Sequence, residues 1–236
     1  MPGFGGTLNT GTARSGSDRA ARKPWWYAVA SVASFWACLL VSYALRPTNW
    51  SQQGISHFGN FSQSIVPYSA GLLLSAMFMA LEADALHSYR GSKFVAYRGL
   101  LRAIAALLVT LLLIPSWKFG VMVGWLHRTI SAGIFMGQLL LGVYLCVTTL
   151  RSRLIAALFA VQFVGTFLVL LSVFDIVPLM FVSQIVTELA FGLLLIAGTA
   201  RIGATLTRTG DVARLAEMDT ADAAGFKAIR KANFAR

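Results

Sequence analysis

A single carboxyl group, Glu188, lies deep within a long apolar segment of the chain. It follows Pro178 by ten residues, and Gln184 precedes it by about one helical turn. If the segment crosses a membrane, an ionisable group at this depth costs on the order of 3 kcal/mol unless it is paired or protonated. Gln138 and Gln162 are predicted at depths from which they can hydrogen-bond it. The residue types point either to an interhelical hydrogen bond that fixes packing or to a ligand or proton pathway, and the sequence leaves both open.

A second set of charges is predicted to meet where one apolar segment ends and the next begins. Glu82, Asp84 and His87 stand near the end of the apolar stretch 68–89. Arg98 and Arg102 stand at the start of the next stretch, 99–115. A short connection makes the two helices antiparallel neighbours, so these charges come to similar depth at the cytoplasmic side. We favour a salt-bridge cluster, which offsets the cost of placing carboxylates near lipid. The alternative is a proton or cation pathway, or a site for a lipid headgroup.

A third set of residues, Ser56, His57, His127 and Asp175, falls at the opposite ends of the segments. A serine hydroxyl activated by a histidine base can attack a lipid ester, so these residues are candidates for a lipid-modifying site. No nucleophile-elbow glycine motif accompanies them. The chain also has no Cys-x-x-Cys, no His-Glu-x-x-His and no phosphate-binding loop. We therefore expect neither a metal nor a cofactor.

Six apolar stretches must position these residues, and each is close to the length that crosses a bilayer. About 20 apolar residues in an α-helix span a hydrocarbon core of about 30 Å. With 57% hydrophobic and only 12% charged residues, the composition fits neither a soluble domain nor a disordered chain. We predict an all-α, polytopic membrane protein with one bundle of six transmembrane helices, at residues 25–45, 68–89, 99–115, 128–150, 154–174 and 178–200.

The net charge of +11 is unevenly distributed along the chain. Lysine and arginine are concentrated before the first stretch, in the connections 90–98 and 151–153, and from residue 201 onward. Because basic residues are retained on the cytoplasmic side during insertion, both termini are predicted to be cytoplasmic, in a cell membrane. The expected partners are membrane lipids, above all anionic headgroups of the inner leaflet, with another membrane protein as a further option and nucleic acid excluded.

The chain divides into three regions. Residues 1–23 are predicted to be a disordered basic arm, residues 24–200 the six-helix transmembrane domain, and residues 201–236 a basic cytoplasmic tail. The tail either forms a helix on the membrane surface or is solvated and frayed. Within the transmembrane domain, the apolar segment 116–126 is broken by two glycines. It is predicted to be a re-entrant or interfacial piece, or an extension of the third stretch.

Two local patterns predict helix geometry. Pro67 fits the first turn of a helix, where its missing N–H is not needed. Gly133 and Gly137 form a small-xxx-small pattern that permits close approach of a second helix. We interpret this pattern as packing within the bundle rather than as a dimer interface.

Two short segments resemble a known family. They are 54–59 (GISHFG) and 67–74 (PYSAGLLL), and His127 at the start of the fourth stretch is a further point of similarity. The pattern is similar to the six-span bacterial membrane family known as domain of unknown function 998, and the layout resembles the DRAM and Frag-type six-span proteins. In those proteins an Ile-Ser-acidic-x-Gly motif occupies the first external loop, whereas this chain has His57 at the acidic position. The resemblance implies fold and topology, since the bacterial family has no established activity.

Three classes of function are compatible with the sequence. The favoured class is a non-enzymatic integral membrane protein that binds lipid or partner proteins. The second is a small proton-coupled transporter that uses Glu188. The third is a lipid-modifying enzyme at the outer face that uses Ser56, His57 and His127. A cavity that reaches Glu188 would favour transport, and a cleft that brings Ser56 to a histidine would favour the enzyme.

Overall fold

Six α-helices long and apolar enough to cross a membrane make up most of the molecule. The computed structural model describes residues 24–47, 54–88, 92–114, 121–148, 152–173 and 176–204, and these contain no strand. The predicted all-α architecture with six spans is confirmed. The helices are α1 (Trp25–Leu45), α2 (Ile65–Ala85), α3 (Ser92–Leu113), α4 (Val121–Thr148), α5 (Arg153–Val173) and α6 (Met180–Ala204).

Two short 3-10 helices flank α2. Ile55–Asn60 precedes it in the loop after α1, and Leu86–Ser88 follows it directly. α2 begins at Ile65, so Pro67 lies in its first turn as predicted. The predicted arm 1–23, and residues 205–236 of the predicted tail, lie outside the described residues.

The ambiguous segment 116–126 is resolved in part. Residues 121–126 form the first turns of α4, so they are neither a re-entrant piece nor an extension of α3. Residues 116–120 lie outside the described part of the chain. α4 has 28 residues and is therefore about 42 Å long, which exceeds the thickness of a hydrocarbon core. Its first turns (VMVGWL) are apolar, and Gly124 lies within them without ending the helix.

The helices pack in chain order, and α6 is the central element. Contacts join α1 to α2, α2 to α3, α3 to α4 and α4 to α5. α6 touches α1 where Gly192 meets Val32, and α4 where Gly198 meets Leu145. In α6, 44% of the most apolar window is buried, against 22–39% in the other five helices.

The bundle has a basic end and a loop end. α1, α3 and α5 begin at the basic end, where the sequence has Arg90 and Arg151 in the connections and Lys93 in the first turn of α3. α2 and α4 begin at the loop end, which also holds the 3-10 helix Ile55–Asn60.

The outer surface of the bundle is apolar. Every helix exposes large hydrophobic side chains, among them Leu40, Leu73, Val109, Leu140, Phe163 and Leu193. An apolar belt around a whole bundle requires lipid rather than water as its solvent. The chain is a multi-pass integral membrane protein.

Gly133 and Gly137 pack within the bundle, as the small-xxx-small pattern predicts. A Cβ atom built on Gly137 would lie 3.0 Å from Cγ1 of Ile104 on α3. One built on Gly133 would lie 3.5 Å from Cδ1 of Leu107, on the same helix. The two glycines therefore serve the contact between α3 and α4.

Candidate functional site

A partly open cavity of about 80 Å³ lies inside the bundle. Five helices contribute to its wall, namely α1, α2, α3, α4 and α6, together with the 3-10 helix at the loop end. Much of the wall is aromatic, with Phe35, Trp36, Phe135 and Phe191. The cavity runs from Ser56 at the loop end to the middle of the helices, where Glu188 lies.

Glu188 and Gln138 form the polar centre of this cavity. The side-chain Nε2 of Gln138 lies 3.1 Å from Oε1 and 3.0 Å from Oε2 of Glu188 and donates to the carboxyl group. Gln138 is buried, whereas Glu188 is only partly buried because its carboxyl group faces the cavity. The predicted pairing of these two residues is confirmed.

A pair of hydroxyl groups adds polarity to the same cavity. Ser31 on α1 and Ser75 on α2 both line it, with 2.8 Å between their Oγ atoms. Ser31 Oγ also donates to the carbonyl oxygen of Ser75, at 3.1 Å. This pair could not be predicted from the sequence, because serine is common in transmembrane helices and neither residue belongs to a motif.

Gln184 lines the cavity but bonds to the loop rather than to Glu188. Its Oε1 accepts a hydrogen bond from the backbone N–H of Ile55, at 2.6 Å. Gly54 lets this amide approach closely, since a Cβ atom at position 54 would lie 2.9 Å from the same oxygen. Gln184 therefore holds the 3-10 helix of the loop end against α6.

Gln162 does not belong to the group around Glu188. It is fully buried on α5 and faces Gly142 of α4, where a Cβ atom would lie 3.1 Å from its Oε1. Neither amide atom has a hydrogen-bond partner among the described residues, and Gln162 is not part of the cavity wall. The prediction erred because depth along a helix says nothing about which face carries the side chain.

The candidates for a hydrolytic site are not brought together. Ser56 lines the cavity, whereas the ring of His57 packs against Phe61, with 4.8 Å between the ring centroids. His127 is buried at the start of α4, and its Nδ1 bonds to the carbonyl oxygen of Ile114 at 2.8 Å. Among the described residues no hydrogen bond joins Ser56 to either histidine, and Asp175 lies outside them.

His57 is also poorly placed to carry a positive charge. Partial burial, and secondarily the nearby charge of Arg46, lower the pKa of His57. The Arg46 guanidinium itself lies over the ring of Phe61, 4.4 Å from its centroid. These side chains pack against one another at the loop end through aromatic and cation–π contacts.

The predicted salt-bridge cluster is divided between two faces of α2. Asp84 pairs with Arg102 at 2.5 Å on the exposed surface, as predicted. Glu82 is fully buried and has no basic partner among the described residues. Residues two apart in a helix project about 200° away from each other, so Glu82 and Asp84 cannot share one cluster. His87 is exposed and Arg98 partly exposed, and neither joins Glu82.

Glu82 instead forms a buried cluster that joins three helices. Its Oε1 accepts from the Tyr97 hydroxyl of α3 at 2.8 Å and from the Thr199 hydroxyl of α6 at 2.7 Å. The two hydroxyl oxygens are themselves 2.7 Å apart. All three residues have no exposed surface, and Oε2 of Glu82 has no partner within the described structure. Nothing in the sequence marks Tyr97 or Thr199 as members of such a cluster.

An apolar layer separates this cluster from the cavity. Met79 of the cavity wall lies less than one helical turn from Glu82 along α2. On α3, Leu101 and Ile104 lie between Tyr97 and the cavity, and on α6 Leu195 lies between Thr199 and the cavity. These three side chains have no exposed surface. On α3 and α6, buried apolar side chains therefore lie between the cavity and the cluster.

The fold and the cavity together define a class: a six-helix integral membrane protein with a carboxyl-bearing cavity between its helices. Comparison of the chain with family models, with curated proteins and with solved structures found no match. Among the described residues no group of three or more His, Cys, Asp or Glu side chains is placed to hold a metal ion. The cavity is therefore the feature of the described structure that bears most directly on function.

Proposed function

We propose that this protein binds a small amphipathic molecule in the cavity between its helices. The observation that carries the proposal is the position of Glu188, whose carboxyl group faces an aromatic-lined space within the membrane. A cavity with apolar walls and a few converging polar groups is the usual form of a ligand site. An ionisable group within a membrane span is expensive and commonly marks a functional position. This is one form of the lipid- or partner-binding role that the sequence favours.

A proton-coupled carrier is the second candidate. It is supported by Glu82, a second carboxyl group that lies beyond the apolar layer and has one unpartnered oxygen among the described residues. Two carboxyl groups at different depths of one bundle are typical of proton relays in transporters. The separate hydrogen bonds of Ser56, His57 and His127 offer no comparable support for a lipid-modifying enzyme.

Carbodiimide labelling tests whether small molecules reach Glu188. Diisopropylcarbodiimide converts a carboxyl group to a stable N-acylurea, which mass spectrometry locates by its added mass. We expect Glu188 to react at least about tenfold faster than Glu82, because Glu82 becomes accessible only when the bundle opens. Ser131→Phe places a large ring in the cavity wall and should protect Glu188.

Thr129→Phe is the matched control for this experiment. Ser131 and Thr129 each donate a hydroxyl hydrogen bond to the carbonyl four residues earlier on α4. Thr129 is exposed and does not line the cavity, so its replacement should leave the labelling rate unchanged. Equal rates at Glu188 and Glu82, or no protection by Ser131→Phe, would contradict the proposal.

We also propose that the basic end faces the cytoplasm of a cell membrane, next to anionic headgroups. The basic connections at that end support this orientation through the positive-inside tendency. Single cysteines test it after Cys38 and Cys146, the two natural cysteines, are replaced by alanine. A membrane-impermeant maleimide added to intact cells should label Ser62→Cys at the loop end. It should label Thr148→Cys, at the end of α4, only after permeabilisation, and the reverse pattern would overturn the orientation.

A further inference from the structure

We infer that the molecule bound in the cavity is an organic cation of the alkylammonium type, recognised by the Glu188 carboxylate. The inference rests on the proposed function and adds the charge and chemical class of the ligand. Four aspects of the cavity support it: its charge, the incomplete pairing of the carboxyl group, its aromatic wall and its size.

The charge of the wall is the first aspect. Glu188 is the one ionisable acid or base apart from the Tyr68 phenol among the residues described as lining the cavity, and no Lys, Arg or His is among them. A carboxylate held within low-dielectric surroundings is stabilised most by an opposite charge brought beside it. The protein supplies no such charge at this place, so a ligand can.

The hydrogen bonding of Glu188 leaves room for that ligand. A carboxylate has about four acceptor positions, and the NH₂ group of Gln138 has two hydrogens. Gln138 is the hydrogen-bond partner that the described structure gives to Glu188, and it contacts both oxygens. The described structure gives the remaining acceptor positions no partner, and Glu188 lines the cavity, from which an ammonium group can approach. Gln138 thus orients the carboxyl group without neutralising it.

The aromatic wall suits a cation better than an anion or a simple polar group. Phe35, Trp36, Phe135 and Phe191 line the same cavity as Glu188. The face of an aromatic ring attracts a cation, and alkylated ammonium ions are commonly bound among such rings. The same rings take the alkyl substituents of the ligand by apolar contact.

The size and charge of the cavity favour a free cation over a phospholipid headgroup. A space for one water requires roughly 10–15 Å³ of probe-occupied volume. The cavity of about 80 Å³ therefore has room for a handful of heavy atoms, with more at its open side. A phospholipid headgroup would bring a phosphate beside its ammonium group. No basic side chain among the described lining residues is present to receive a phosphate.

Binding of radiolabelled choline to the purified wild-type protein in nanodiscs tests the inference. Unlabelled choline, its uncharged isostere 3,3-dimethylbutan-1-ol, and phosphocholine serve as competitors. We expect the uncharged alcohol to compete at least about tenfold more weakly than choline, because it lacks the charge that Glu188 recognises. Phosphocholine should also compete at least about tenfold more weakly, since its phosphate lies close to the carboxylate. This comparison needs no variant, so it does not depend on the folding of any mutant.

Variants then locate the site. Glu188→Gln should lower the affinity for choline at least about tenfold, because it keeps the shape of the side chain and removes its charge. Ser131→Phe should lower it as well by filling the space. Glu82→Gln, the same change in the buried cluster outside the cavity, is the matched control and should leave choline binding unchanged.

The outcomes distinguish two claims: that the ligand is a cation, and that the cavity binds a ligand at all. Equal competition by choline and the alcohol, with binding retained in Glu188→Gln, would overturn the cation inference and leave a ligand cavity in place. Equal competition by phosphocholine would overturn the preference for a free cation and favour a headgroup. Absence of choline binding, with Glu188 still labelled by carbodiimide in a manner that Ser131→Phe blocks, would overturn the cation inference alone. Absence of both would overturn the proposed function too.

Discussion

Replacing Gly165 by alanine is expected to destabilise the bundle by about 2 kcal/mol, a fall of roughly 4–8 °C in Tm. The added Cβ atom would lie 2.5 Å from Oγ1 of Thr187 on α6, 3.1 Å from the Thr187 backbone nitrogen and 3.3 Å from its Cα. Two of these atoms belong to the backbone, so a rotamer change cannot relieve the contact. The Thr187 hydroxyl is also held by its hydrogen bond to the Ser183 carbonyl. α5 and α6 would have to move apart.

The matched control for this substitution is Gly99→Ala on α3. No atom lies within 4 Å of a Cβ at Gly99, and the residue is exposed. Alanine favours helix over glycine by up to about 1 kcal/mol, so Gly99→Ala should be neutral or slightly stabilising. Thermal unfolding of both variants in the same detergent measures the difference. If Gly165→Ala proved as stable as Gly99→Ala, the close contact of α5 with α6 would be wrong.

Glu82→Ala is expected to lower the stability of the solubilised protein by about 2–4 kcal/mol. The side chain is fully buried where α2, α3 and α6 meet. Its removal leaves a void and takes the common acceptor from the hydroxyls of Tyr97 and Thr199. By contrast, Asp84→Ala breaks an exposed ion pair with Arg102 and should change stability by less than about 1 kcal/mol. Chemical denaturation in mixed micelles gives both values.

The outcome for Glu82 also separates structure from function. Glu82→Gln retains the acceptor oxygen and should remain close to the wild-type stability. If Glu82→Ala were as stable as the wild type, the desolvation of the carboxyl group would offset all that its contacts contribute. Its presence would then be explained by proton transfer rather than by packing, which would strengthen the case for a carrier.

The architecture could be predicted from the sequence because it depends on length and composition. An apolar stretch of about 20 residues is unambiguous whatever it packs against, and all six helices were predicted from this signal. Their starts were less predictable. α4 begins at Val121, seven residues before the predicted start, because the glycines at 120 and 124 interrupt an apolar pattern that otherwise continues.

Polar contacts were predicted correctly only where two residues at similar depth also face each other. Gln138 and Glu188 lie at similar depth and also on facing sides of α4 and α6, so their bond was found. Gln162 has a suitable depth but faces α4 at Gly142. A helix that is apolar on every side gives no moment from which to read its rotation, so the facing side of α5 could not be predicted.

The separation of Glu82 from Asp84 likewise shows that the sequence did not reveal which face of a helix is buried. The two carboxylates are only two positions apart in the chain, and both were assigned to one cluster. Helical geometry alone places them on opposite faces, but which face is buried depends on where α6 packs. That position is decided by Gly165, Gly192 and Gly198, whose contacts are with residues remote in the chain.

The central position of α6 has a consequence for biosynthesis. α6 is the last of the six helices in chain order, so the ribosome delivers it after the other five are made. Until it enters the membrane, Gln138 lacks Glu188, and Glu82 and Tyr97 lack Thr199. These polar side chains of the five earlier helices therefore remain without their α6 partners until α6 packs between the helices. Insertion of α6 is therefore the step that commits the newly made chain to its mature form, and a chain stalled before that step would present recognisable polar surfaces to membrane quality control.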